Sequence, residues 1–186
     1  FLHQLRPWLP SRFHEKAVVG GQKKFFSTLW NTYAFFVMYA NIVNFDPTQH
    51  RLEDCKLTVM DKWLLSRLNT TVKAVDDNLS AYKVPEAARA LQDFVDEMSN
   101  WYVRRSRPRF WAQAESDDRT AAFMTLYTAL VSTAKVAAPM APFMSEEIYA
   151  TWCAPWTSPP RRASTCACTP PMRVLGWTSE AGGGYG

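Results

Sequence analysis

The chain has few of the residues that build covalent or metal-dependent sites. Its four cysteines comprise two isolated ones, Cys55 and Cys153, and a single C-x-C at Cys166 and Cys168. With neither a second pair nor a nearby histidine, no tetrahedral metal site can be completed, and neither zinc nor disulfides are expected. The three histidines, His3, His14 and His50, are isolated in expected loops, so no metal centre or catalytic triad can be built on them. Long apolar runs are also missing. The most apolar stretch, Thr32 to Ile42, is too short to span a bilayer. No charged leader with an apolar run and small-residue cleavage site opens the sequence. The expectation is a cytoplasmic protein without membrane contact. No segment shows sustained period-two alternation, which argues against a sheet, and no fixed-period repeat implies a solenoid.

What is present is helical patterning. At 186 residues and 47% hydrophobic content, the chain suits one domain with a real core. Residues 22–44, apolar nearly all round and free of proline, read as a deeply buried helix ended by Asp46-Pro47, with Trp30, Tyr33, Phe35, Phe36 and Tyr39 in the core. A second helix is expected from Val59 to Tyr82, with Trp63, Leu64, Leu68, Val72, Val75 and Leu79 inward and Asp61, Lys62 and Arg67 on a polar face. A third begins at Pro85, suited to a first turn, and continues past Arg105. A fourth spans about Asp118 to Ala138, and Pro139 and Pro142 then break the chain. A short fifth helix follows, with Glu146 and Glu147 near its first turn, where the macrodipole favours negative charge. Short connections between long helices point to an all-α antiparallel bundle.

The net charge of +4 is mild; its placement is more informative. Arg104, Arg105, Arg107 and Arg109 fall within six consecutive positions. Taken at about 100° per residue, the third helix has one apolar face of Ala87, Leu91, Phe94, Val95, Met98, Trp101 and Tyr102, which Arg105 and Arg109 continue. Guanidinium groups there must project beyond the bundle or meet carboxylates or phosphates. The opposite face, with Asp96, Glu97, Asn100, Arg104 and Arg107, reads as solvated. Pro108 is expected to kink or end the helix. In a functional reading the four arginines bind phosphate oxygens, while Trp101, Tyr102, Phe110 or Trp111 stacks on an unpaired base. Composition alone favours the blander alternative, a solvated charge run beside core aromatics.

Four segments then carry a resemblance: KKFFSTLWNTYAFFVMYANI at 23–42, DKWLLSRLNTTV at 61–72, ARALQDFVDEMSNWYVRRSRPRFW at 88–111 and APMAPFMSEEIY at 138–149. In order and spacing they resemble bacterial-type isoleucyl-tRNA synthetase, a class I enzyme. The proline-broken turn is shared with the valyl and leucyl relatives, whereas NWYVRRSR with RFW is closer to the isoleucyl enzyme. The resemblance implies the anticodon-binding helical bundle of such an enzyme, docked on the anticodon stem and loop of isoleucine tRNA. It implies tRNA contact for Arg104, Arg105, Arg107 and Arg109, with Asn100, Trp101, Tyr102 and Trp111 alongside, and it reverses the weighting from composition. The HIGH and KMSKS signatures are absent from the sequence, so no catalytic residue, cofactor or metal is assigned to this chain. ATP with Mg2+, and Zn2+ in many members, belong to the parent enzyme. Its partners would be isoleucine tRNA and the rest of the synthetase, with a monomer expected. The alternative is a stand-alone RNA-binding or protein-interaction bundle.

The expected division is an irregular leader at 1–21, the bundle at 22–152 and an irregular tail at 153–186. After Trp152 the sequence turns rich in proline, glycine, cysteine and arginine. Codons for Arg162 to Pro170, displaced by one nucleotide, can encode the family's Ser-Val-His-Leu continuation, and His3 to Pro7 behave similarly upstream. Frameshifts at both ends are the expectation, with a native disordered tail as the alternative.

Overall fold

The computed structural model describes residues 15–111 and 116–153, all of it helix, turn or irregular connection, with no strand among the described residues. The expectations for 1–14 and for the tail after Cys153 lie outside the described residues. Seven α-helices are present among the described residues: α1 (Glu15–Gly21), α2 (Thr28–Ile42), α3 (Val59–Ser80), α4 (Val84–Glu97), α5 (Arg104–Trp111), α6 (Asp117–Ala137) and α7 (Pro142–Cys153). Two π-helical turns, Gln22–Ser27 and Met98–Val103, join α1 to α2 and α4 to α5. The result is four long rods and a short fifth, an all-α bundle as the periodicity predicts. The first rod begins at Glu15, so the expected irregular leader is helical over its last seven residues.

Each terminus has a local cause. Asn44, at φ 49°, ends α2 in the left-handed conformation that asparagine tolerates, and the Phe45 amide closes the cap on the Ala40 carbonyl at 2.9 Å. The helix therefore stops before Asp46-Pro47. Tyr82, at φ 56°, does the same for α3, with the Lys83 amide bonded to the Asn78 carbonyl at 2.7 Å. Pro85 occupies the first turn of α4. Ser116 caps α6 by accepting the Arg119 amide at 3.2 Å. In α7 the helix opens at Pro142, so Glu146 and Glu147 lie just beyond its first turn, near it as expected.

The core is built from all the long rods. Phe36 of α2, Leu64 and Leu68 of α3, Phe94 of α4, Phe110 of α5, Phe123 and Leu126 of α6 and Ile148 of α7 are all essentially buried in one cluster. Phe110 meets Phe123 edge-on at 5.0 Å, and Phe36 lies 5.8 Å from the same ring. The first rod is less deeply buried than its composition predicts: Tyr33 and Phe36 face the core, but Trp30, Met38 and Ile42 are exposed. No described helix is long and apolar enough to cross a membrane.

Candidate nucleic-acid interface

The geometry of the arginine segment follows from the π-helical turn at Met98–Val103. Its i to i+5 hydrogen bonds place more residues in a turn than an α-helix does, so every later side chain is rotated back. The face is delayed by about one residue. Ala87, Leu91, Phe94, Val95, Met98 and Tyr102 are buried as the pattern predicts, but the next inward positions go to Val103, Ser106 and Phe110. Arg105 is exposed, and so is Trp101, at 49% of its surface. The expected continuation of the apolar stripe through Trp101 and Arg105 is therefore corrected, whereas Arg109 does face inward. Pro108 does not end the helix, which runs to Trp111.

Arg109 meets carboxylates, one of the two fates open to an inward guanidinium. Its two terminal nitrogens donate to both oxygens of Asp61 at 2.8 and 2.9 Å, and its Nε donates to Asp118 at 3.0 Å. Asp61 has no exposed side-chain surface. It also accepts from the Tyr102 hydroxyl at 2.6 Å and from the Thr58 amide and hydroxyl at 2.8 and 2.7 Å, forming the capping box of α3. Burial works against the Asp61 charge, but hydrogen bonds from Arg109, Tyr102 and Thr58 outweigh it and hold the carboxyl below its ordinary range. Burial likewise opposes the Arg109 cation, and the two carboxylates more than offset it. Tyr102 is fully buried, and burial together with the Asp61 charge pushes its phenol well above the ordinary value. Its ring is unavailable to a base, and so is that of Phe110. Periodicity puts Asp61 on the polar face of its helix and gives no hint of this network; the Thr58-to-Asp61 spacing of a capping box is its only local signal.

The other arginines point outward. Arg104, Arg105 and Arg107 are exposed and make no ion pair with a carboxylate among the described residues. The Arg105 guanidinium lies 4.0 Å from the centre of the Trp101 ring, and Arg107 lies 5.9 Å over Phe35 of α2. Trp111 is 54% exposed and 6.4 Å from Tyr39. Asn100 is exposed and donates to Asp96 at 2.7 Å. Three unneutralised cations and two exposed indoles thus share one helical segment. Among the described residues no group of three or more potential ligands could hold a metal ion.

This segment lies within a region that matches a known domain family. The family description "Anticodon-binding domain of tRNA ligase" matches residues 61–169. The chain is 54% identical over 143 residues to an isoleucine–tRNA ligase of Clostridium novyi, 52% to that of Clostridium acetobutylicum and 45% to that of Bacillus thuringiensis. Each match covers 77% of this chain and 14% of the relative, so the chain spans about a seventh of the length of these proteins. With more than half its length matched, the chain belongs to the family of anticodon-binding domains of tRNA ligases.

Proposed function

We propose that the outward face of α5 binds the anticodon stem and loop of isoleucine tRNA, and that the chain serves as the tRNA-holding part of an isoleucine–tRNA ligase. Arg104, Arg105 and Arg107 supply the positive charge, with Asn100, Trp101 and Trp111 beside them. Arg109 acts internally, as the counter-ion of Asp61 and Asp118. The reading rests on one observation: three adjacent guanidiniums are solvent-facing with no carboxylate partner among the described residues. Free guanidinium forks match phosphate oxygens, whereas paired ones would first have to give up their partners.

The ligation itself, joining isoleucine to its tRNA at the expense of ATP with Mg2+, is proposed for the full-length ligase. Neither the HIGH nor the KMSKS signature of the class I enzymes occurs in this sequence. The test is a gel-shift titration of the chain with isoleucine tRNA at two salt concentrations. Replacing Arg104 and Arg107 by alanine should weaken binding and reduce the logarithmic salt slope by about 0.7–0.9 for each phosphate no longer bound. Unchanged affinity and slope would remove both positions from the interface.

A further inference from the structure

We propose that Arg105, Trp101 and Trp63 form a stacking subsite for one unpaired nucleobase, so that Arg105 engages a base while Arg104 and Arg107 hold phosphates. The inference rests on the anticodon reading and divides the labour among arginines that the resemblance gives one shared role.

Three observations separate Arg105 from its neighbours. It is held against the indole of Trp101 at 4.0 Å, much closer than the 5.9 Å of Arg107 over Phe35. Contact with the indole restrains the guanidinium before any ligand arrives, and guanidinium planes and indoles are surfaces on which bases stack. Second, Trp101 remains half exposed because the π-helical turn rotates it out of the apolar stripe, and such turns recur at functional sites. Burying that indole would have been favourable, so its exposure forgoes stability.

Third, Trp101 is braced. Trp63 of α3, itself packed against the core, lies 6.4 Å from it with the rings tilted by 44°. One turn further along both helices, Arg67 grips Glu97 through hydrogen bonds of 2.7 and 2.8 Å. That clamp fixes the spacing of α3 and α4 at the level where Trp63 meets Trp101. The stack is thus built from both sides of a helix pair, and the ordering cost of an arginine and an indole is met before binding. The ligand class follows from the surface: a flat, uncharged aromatic heterocycle on a polyanionic chain. Stacking of this kind is tolerant of base identity, since every base offers a π-face.

The experiment uses the 186-residue chain and the anticodon stem-loop of isoleucine tRNA carrying 2-aminopurine at one loop position at a time. One position should lose fluorescence on binding. Trp101→Ala should abolish that quench and weaken binding by about fivefold or more. Arg105→Lys should abolish the quench while keeping the salt slope, because the charge stays and the plane is lost. Arg104→Lys should leave the quench intact. Circular dichroism melts of the two exposed arginine variants establish that they fold. Binding without any quenched position, or a quench that survives Trp101→Ala, overturns the subsite and leaves the anticodon reading standing. If the unaltered chain binds no stem-loop at all, the anticodon reading fails and the subsite with it.

Discussion

At Asp61 a single carboxylate ties three helices together: it caps α3, receives the Tyr102 hydroxyl from the π-helical turn, and pairs with Arg109, which also reaches Asp118 on α6. Asp61→Ala leaves Arg109 with Asp118 alone and strips the Tyr102 hydroxyl and the α3 cap of their acceptor, so it should destabilise the fold by about 3 kcal/mol, read as a lower urea midpoint. The pH dependence has a definite sign. Because the folded-state pKa of Asp61 lies below its unfolded value near 3.8, its contribution is complete above that value and is lost as pH falls through the lower, folded value. The melting temperature of the chain should therefore fall more steeply below about pH 4 than that of Asp61→Asn, which has no proton to gain there. Thermal melts across the acid range, from neutral pH downward, would measure the difference. Equal slopes would mean the charge of Asp61 is not what the network uses. The arginine was legible in the sequence and its partner was not. An inward guanidinium demands an anion, but which of several carboxylates supplies it depends on how α3 lies against α5, and that is a tertiary fact.

Elements were more readable than residues. The apolar stripes of α3, α4 and α6 and the proline at the start of α4 sufficed to place the rods, because helix periodicity is a local property that burial then enforces. The π-helical turn was not readable, since no residue in MSNWYV announces it. That one turn accounts for the misplacement of Trp101 and Arg105: a face projected at 100° per residue is correct up to Met98 and out of step by about a residue afterwards. Helix ends carry their own test. Tyr82 holds a left-handed conformation at the end of α3 that costs an L-residue about 1–2 kcal/mol, with its side chain 79% exposed. Tyr82→Gly removes that cost, partly offset by the greater freedom glycine has when unfolded, and should raise stability by about 0.5–1 kcal/mol in urea titrations. A loss of stability would mean the tyrosine ring makes up for the strain through packing of its own. At the opposite kind of terminus, Ser116→Ala should cost about 1 kcal/mol, because the Arg119 amide loses its acceptor just where Asp118 must be held for Arg109.

For the whole molecule, the mild net charge of +4 hides an arrangement in which inward and outward arginines have opposite fates. Arg109 is consumed by the fold, whereas Arg104 and Arg107 are left to the solvent, and only the latter kind of charge can release counterions when a polyanion binds. Phosphate contacts of this sort fix orientation and carry no sequence information. The double variant Arg104→Ala, Arg107→Ala should therefore weaken binding of isoleucine tRNA and of a noncognate tRNA by the same factor, with both salt slopes reduced by about 1.4–1.8. Parallel titrations of the two tRNAs at low and moderate salt would measure both quantities. A loss confined to isoleucine tRNA would mean that these arginines read bases rather than phosphates. Arg109→Ala should behave differently from either, lowering the urea midpoint first and affecting RNA affinity only as the α5 face loses its anchor on α3 and α6, since the group it removes is tied to Asp61 and Asp118.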